Sequence, residues 1–85
     1  MNTIVKVVPE GNMKLNIRFS DGFTADLDVK PFIKGGISEK LLDPTVFDRV
    51  FIDEFGGISW PNGFDFCPNF LRMYLKERNP SLQAQ

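Results

Sequence analysis

The chain contains no histidine and a single cysteine, Cys67, among its 85 residues. Histidine is the side chain that most readily exchanges protons near neutral pH, and it is the commonest metal ligand in proteins. Its absence removes the usual general base, the usual zinc ligand and the third member of most nucleophile triads. Any catalysis would have to use carboxylates or Cys67. We therefore expect no catalytic residue, no metal, no cofactor and no enzyme activity.

The sequence also lacks an excess of charge of one sign and any long apolar run. Ten basic residues against eleven acidic ones give a formal net charge of −1, which sets up no field that would attract nucleic acid or anionic lipid. A lone cysteine cannot form an internal disulfide, and the first residues form neither a signal peptide nor a membrane span. We therefore expect a cytoplasmic protein without membrane contact, and nucleic acid is a disfavoured partner.

Bulky apolar residues, by contrast, are plentiful. Hydrophobic residues make up 42% of the chain and nine of them are Phe. This is enough apolar material to offset the conformational entropy lost on folding without disulfides or metals. A chain of this length has room for one core. We therefore predict one α+β domain over residues 1–80 and a frayed tail over 81–85.

The strongest local pattern is a pair of alternating runs. Apolar and polar residues alternate strictly over 13–19 and again over 23–29, which is typical of half-buried strands. Opposite residues of an antiparallel pair point to the same face, so a two-residue loop would set apolar against polar on every rung. A three-residue loop at 20–22 matches every rung and sets Phe19 opposite Phe23. Its glycine suits the left-handed position that ends such a loop.

Another strand, over residues 4–8, is predicted before this hairpin. The Pro-Glu-Gly-Asn stretch at 9–12 has the composition of a reversing turn, so the three strands form an antiparallel meander. Alternation with Val5 and Val7 facing inward leaves three residues on the outer face: Ile4, Lys6 and Val8. That face is more apolar than a solvated face requires, so we expect part of it to be covered.

Shorter elements are predicted in the second half of the chain. One helical turn can form after Pro31 before Gly35-Gly36 breaks it, and Asp43-Pro44 supplies an N-cap and first residue for another. Residues 50–54 and 58–60 are expected to form a second short hairpin. A three-residue loop at 55–57 would set Ile52 opposite Trp60.

One longer helix is predicted at the C-terminal end. Pro68 can occupy its first position, apolar residues recur at helical spacing, and basic residues lie where the dipole favours cations. Asn79-Pro80 is expected to end it. We expect this helix to pack on the sheet.

The candidates for acid–base chemistry have simpler alternatives. Asp26 and Asp28 lie two apart on one predicted strand and share a face. Their inferred neighbours Lys14 and Arg18 make a solvated cross-strand charge pattern the favoured interpretation. No catalytic role is therefore assigned to this pair.

Cys67 precedes Pro68 at the predicted helix start, where a thiolate would be stabilised. The favoured alternative is a small buried or N-capping residue with no base in reach. Asp53 and Glu54 are adjacent and point apart, so they do not form a carboxylate pair.

The stretch after the second hairpin is the candidate interaction site. A Trp beside a rigid turn makes a good interface anchor, and Phe64 would extend an aromatic contact surface. The predicted set is Trp60, Asn62, Phe64 and Asp65. Core packing is the favoured alternative for Trp60, and for Phe64 core and surface are equally balanced.

A second candidate surface is the outer face of the meander. Lys6, Lys14 and Arg18 would lie there together and could hold nucleic acid weakly. Asp26 and Asp28 share that face and argue against this interpretation.

Three segments occur in a distinctive order along the chain. They are a strand pair closing on Phe19-Ser20-Asp21-Gly22, the segment from Leu42-Asp43-Pro44 to Phe47, and Ile58–Asp65 before a helix. In this order they resemble the bacterial family called domain of unknown function 2442. The Trp-Pro-Asn-Gly-x-Asp stretch at 60–65 is the most specific part, and the resemblance covers nearly the whole chain.

The resemblance implies an α+β fold, but no established activity and no catalytic residues. Family members are often encoded beside another small protein, in an arrangement similar to toxin–antitoxin pairs. Some longer members resemble a fusion of this domain to a DNA-binding helix-turn-helix. This chain ends after its first long helix, so we do not expect it to read DNA directly.

We therefore expect a protein-interaction module, the antitoxin-like or regulatory partner of a neighbouring small protein. An uncovered strand edge could also pair across a homodimer. The alternative is a weak nucleic-acid-associated transcriptional regulator, and an enzyme using Asp or Cys is the least favoured.

Overall fold

Short strands and short helices follow one another along the chain. The computed structural model describes residues 2–78. The strands are β1 (Ile4–Gly11), β2 (Lys14–Phe19), β3 (Thr24–Asp28), β4 (Phe51–Ile52), β5 (Ile58–Ser59) and β6 (Asp65–Phe66). The α-helices are α1 (Pro44–Phe47) and α2 (Pro68–Arg78), and two 3-10 helices span Lys30–Phe32 and Gly36–Leu42. Strands β1-β2-β3 and β4-β5-β6 form two antiparallel sheets, which confirms the predicted α+β class.

The β2–β3 hairpin has the predicted register. Leu15 lies opposite Leu27 and Ile17 opposite Ala25, and the Phe19 N–H donates to the Phe23 carbonyl at 2.8 Å. The loop therefore has three residues, as the alternation predicts. Its glycine has φ +95°, which any residue with a Cβ adopts only under strain.

The predicted orientation of β1 is wrong at its first two residues, Ile4 and Val5. A register shift between Ile4 and Lys6 shows that Val5 is an extra residue, a β-bulge, in the β1–β2 ladder. The bulge turns Ile4 inward to lie opposite Phe19, where it is buried, and leaves Val5 exposed. Of the three residues expected on the outer face, Ile4 therefore lies in the core instead, while Lys6 and Val8 remain on that face.

The turn between β1 and β2 lies later than predicted. Pro9 and Glu10 belong to β1, and Asn12 and Met13 form the turn with φ of 52° and 62°. Two successive left-handed residues form a type I′ turn, which suits the twist of the flanking strands. Asn tolerates this conformation, whereas Met adopts it at a cost.

The second sheet differs from the predicted hairpin in register and in size. Ile52 lies opposite Ile58, not opposite Trp60, so the loop spans five residues, 53–57. The Asp53 carboxylate accepts hydrogen bonds from the Phe55 and Gly57 N–H groups at 2.9 and 3.1 Å, and these bonds hold the longer loop. A third strand, β6, which the sequence analysis missed, pairs with β5.

The β5–β6 turn repeats the construction of the β2–β3 turn. The Trp60 N–H donates to the Phe64 carbonyl, and the Gly63 N–H donates to the Trp60 carbonyl, both at 2.9 Å. The side chain of Asn62 accepts from the Phe64 N–H, just as Asp21 accepts from the Phe23 N–H in the first turn. An Asp or Asn before Gly thus closes both loops by the same side-chain bond.

The helices begin where their caps predict. The Asp43 side chain accepts from the Thr45 N–H at 2.9 Å and Pro44 opens α1. The 3-10 helix that starts at Gly36 was not predicted. Pro68 opens α2 as expected, whereas the predicted end at 79–80 and the tail over 81–85 lie outside the described residues.

One apolar core joins the two sheets and α2. It contains the inward side chains of the meander, one residue each from the second 3-10 helix and α1, the residues around β5 and β6, and two leucines of α2. These are Ile4, Leu15, Ile17, Phe19, Ala25, Leu27, Val29, Leu41, Phe47, Ile58, Trp60, Phe66, Leu71 and Leu75. Burying these side chains is the main source of stability, and α2 packs on the sheets as predicted.

Candidate functional site

Trp60 lies in the core rather than at the surface. Its side chain is 1% exposed, and its Nε1–H donates to the Phe47 carbonyl at 2.9 Å. The rings of Phe47 and Phe64 lie 5.9 and 5.7 Å from its own. The indole therefore fixes α1 against the second sheet.

The other predicted interaction residues lie around the same turn. The Asn62 amide Nδ2 donates to the Ile37 carbonyl at 2.9 Å, which ties the turn to the 3-10 helix. Phe64 is half-buried, and Asp65 is exposed on β6 opposite Ser59. The structure thus brings the four residues together, with Asp65 the most open to solvent. A role for them in binding a partner stays a prediction.

Cys67 is exposed and lies in a small cleft with carboxylates near it. The cleft has a volume of about 310 Å³ and includes Asp53 and Asp65. Asp53 accepts a bond from the Ser59 hydroxyl at 2.6 Å in addition to its two loop N–H donors. The Ser59 bond is the main cause of a lowered pKa of Asp53, so this carboxylate is a fixed acceptor within the fold.

The outer face of the meander carries charges of both signs. Lys6 lies opposite Arg18, and Lys14 lies opposite Asp28 as predicted. Asp26 accepts from the Asn16 amide at 2.9 Å. Like charges directly opposite each other destabilise a sheet, so the Lys6–Arg18 pair does not contribute to the stability of the fold.

Two acidic side chains, Glu10 and Asp26, are in contact on the same face. Desolvation, together with a hydrogen bond to Asp26 and repulsion by it, raises the pKa of Glu10. Three basic residues, Lys6, Lys14 and Arg18, therefore share this face with three acidic ones, Glu10, Asp26 and Asp28. Such a face has no net charge with which to attract a polyanion.

Arg72 is the feature that the sequence analysis missed most clearly. Its guanidinium binds both carboxylate oxygens of Asp21, at 2.8 and 2.6 Å, and lies over the rings of Phe19 and Phe23. The bonds from Arg72 lower the pKa of Asp21 to about 2. They join α2 to a turn 51 residues earlier, a distance that no local pattern reports.

Large apolar side chains are exposed on β4 and in the loop after it. Phe55 is 75% exposed, Phe51 45% and Ile52 38%. We call these three residues the β4 patch; Phe51 and Ile52 are neighbours on the strand, so their side chains point to opposite faces of it. The loop that carries Phe55 is fixed at both ends by Asp53, and the Ile4 N–H donates to the Gly56 carbonyl at 2.8 Å. The patch is therefore presented on an ordered backbone.

An open groove lies between the β1–β2 turn and α1. It has a volume of about 630 Å³, within the range of ligand sites. Its apolar lining comes from Pro9, Met13, Leu41, Leu42, Pro44 and Phe47, and Asp48 contributes a carboxylate. We call it the α1 groove. Sequence patterns do not reveal it, because its walls meet only through tertiary packing.

The described residues 2–78 contain no group of three or more side chains suited to hold a metal ion. Over the same range, every helix is too short or too polar to cross a membrane.

The fold and its turns define a small α+β domain of two linked antiparallel sheets. The chain belongs to the family described as protein of unknown function (DUF2442), whose model matches residues 4–77. This family assignment agrees with the resemblance of the three sequence segments. No curated protein and no solved structure matches the chain.

Proposed function

We propose that this chain is a protein-interaction module that binds a partner protein through the β4 patch. The observation that carries the proposal is the exposure of three large apolar side chains within five residues, with Phe55 75% exposed. Monomeric proteins expose single apolar residues routinely, but several large ones on one short segment, here Phe51 and Phe55 above all, favour an interaction surface. Phe is among the residue types enriched at such surfaces.

The ordered loop supports this proposal energetically. The Asp53 carboxylate accepts bonds from the backbone N–H groups of Phe55 and Gly57, so the loop backbone is held in place before any partner arrives. A loop backbone that is already ordered loses less conformational entropy on binding. The patch therefore suits a partner with an apolar pocket or strip.

The proposed partner is the small neighbouring protein that the family resemblance suggests, with this chain as the antitoxin-like or regulatory member. We propose no enzyme activity, because Asp53 is occupied within the fold and Cys67 has no histidine anywhere in the chain to activate it. The mixed charges of the outer face favour a protein partner over nucleic acid.

Co-expression with the product of the adjacent gene, followed by size-exclusion chromatography with light scattering, tests the proposal. We expect a stable complex whose affinity falls at least about tenfold in a Phe51→Ser, Phe55→Ser double variant, the loss expected for an apolar anchor. The same measurement on the chain alone reports homodimer formation.

Met73 provides the matched control, because it is 59% exposed on α2, outside the β4 patch. A Met73→Ser variant should bind like the unchanged chain, and circular dichroism should show all variants folded. Separate elution of the two unchanged proteins would contradict the proposed function. Equal binding by the double variant would show that the β4 patch is not the interface.

A further inference from the structure

The α1 groove shares no residue with the β4 patch and has its own chemistry. One wall is the β1–β2 turn with Met13, and the other is the segment from Leu41 to Asp48. Leu41 and Phe47 are buried at its base, whereas Leu42 is exposed at its edge. The groove is therefore an open depression in which apolar side chains lie beside the polar groups of Asn12 and Asp48.

The base of the groove is fixed, and a methionine that packs against the core contributes to one wall. The Phe47 carbonyl accepts the bond from the Trp60 indole, and its ring lies against that indole. Met13, by contrast, has an unbranched thioether side chain that adjusts to irregular neighbours, as methionines do on binding surfaces. A fixed base beside an unbranched methionine side chain suits the apolar side chain of an incoming segment.

Asp48 gives the groove its charge preference. Its carboxylate makes no hydrogen bond or ion pair with any residue in the range 2–78. The neighbouring acid, Asp43, is instead occupied by the Thr45 N–H and hydroxyl. An unpaired carboxylate beside an apolar groove complements a bulky apolar side chain that adjoins a cation.

We propose that the α1 groove binds an extended peptide segment of a partner protein, with an apolar side chain in the groove and an adjacent Lys or Arg at Asp48. The charge of Asp48 and the apolar lining carry this assignment. An extended segment suits an open groove, because its backbone can remain in solvent while one side chain enters. This site goes beyond the β4 patch and can be tested without the neighbouring protein.

A display library of random heptapeptides, selected on the immobilised full chain, is the probe. We expect enriched peptides to share an apolar residue beside Lys or Arg. The selected peptide, made synthetically, should shift the amide NMR signals of Gly11, Leu42 and Asp48 in a saturable manner. An Asp48→Asn variant should bind it about fivefold more weakly, the effect of losing one exposed ion pair.

Glu54→Gln is the matched control, since Glu54 is an exposed acid outside the groove. The Glu54→Gln variant should bind the peptide as the unchanged chain does. A Leu42→Ser substitution should weaken peptide binding both in the unchanged chain and in the Glu54→Gln variant. Three results would overturn the assignment: no enriched peptide, enriched peptides without a basic residue, or NMR shifts that map away from the groove. Shifts at Phe51 and Phe55 would instead support the β4 patch as the peptide site.

Discussion

Gly22 and Gly57 show two different reasons for a glycine. Gly22 has φ +95° and no atom within 4 Å of the position that a Cβ would take. Gly57 does not need a left-handed backbone, but a Cβ there would lie 2.3 Å from the Phe66 carbonyl oxygen and 2.9 Å from Pro68. The first glycine serves backbone conformation, and the second allows β5 to approach the start of α2.

We expect Gly22→Ala to lower the free energy of unfolding by roughly 1–2 kcal/mol, the cost of a left-handed residue with a Cβ. Gly63→Ala should match it, since Gly63 has φ +99° and equally open surroundings. Gly57→Ala should cost more, because backbone atoms must move to relieve the overlap. Urea unfolding followed by the emission of Trp60 measures all three. Equal losses at Gly57 and Gly22 would contradict this distinction.

At the level of secondary-structure elements, a strand register can be predicted from sequence only when enough cross-strand residue pairs are available to distinguish it from its neighbours. The β2–β3 alternation runs over seven residues on each side, so one register satisfied every pair and the structure confirmed it. Strands β4 and β5 have two residues each, and two rungs cannot exclude a neighbouring register. The loop between them is held by Asp53, whose acceptor role is invisible to a hydrophobic pattern.

The parts of the fold that were missed depend on contacts distant in the chain. The Val5 bulge turns Ile4 into the core, and only the position of β2 shows that it exists. The β4 patch and the α1 groove likewise depend on contacts between residues distant in the chain. Exposure of Phe51 and Phe55 reverses the usual expectation for large apolar residues, and the α1 groove forms only when α1 meets the β1–β2 turn.

The β4–β5 loop yields a prediction about Asp53. An Asp53→Ala substitution removes the acceptor of three hydrogen bonds, from Phe55, Gly57 and Ser59. We expect a loss of roughly 1–3 kcal/mol in the free energy of unfolding, since each such bond contributes about 1 kcal/mol net. Amide hydrogen exchange at Phe55 and Gly57 should become faster.

Glu54→Ala is the control for this loop, because Glu54 is exposed at the neighbouring position. It should leave both stability and exchange nearly unchanged. If Asp53 orders the β4 patch, the Asp53→Ala variant should also bind the partner protein more weakly. The loss of affinity should exceed what the smaller fraction of folded protein accounts for. Unchanged exchange at Phe55 and Gly57 would show that the loop is held by other contacts.

At the level of the whole molecule, an ion pair between Arg72 and Asp21 joins α2 to the turn between β2 and β3. Arg72 combines a two-point bond to Asp21 with stacking on Phe19 and Phe23. Lysine cannot reproduce this geometry, because its single ammonium group neither forks nor stacks as a planar guanidinium does. We expect Arg72→Lys to loosen the attachment of α2 even though the charge is kept.

The pH dependence of stability tests this attachment. The pKa of Asp21 is lowered from 3.8 to about 2 in the folded chain. A carboxyl with a lowered folded pKa contributes stability that is present above pH 3.8 and is lost as the pH falls towards 2. Asp43 and Asp53 also have lowered pKa values, so acid destabilises the unchanged chain through several groups.

The difference between the unchanged chain and Asp21→Asn isolates the contribution of Asp21. We expect the two unfolding free energies to differ most above about pH 4 and to converge as the pH falls to 2. In an Arg72→Lys variant, Asp21 should contribute less pH-dependent stability than in the unchanged chain. The lysine keeps the positive charge but cannot form the two-point bond to the carboxylate. Parallel pH profiles for Asp21→Asn and the unchanged chain would mean that apolar and aromatic packing, not the Asp21–Arg72 bond, holds α2 on the sheets.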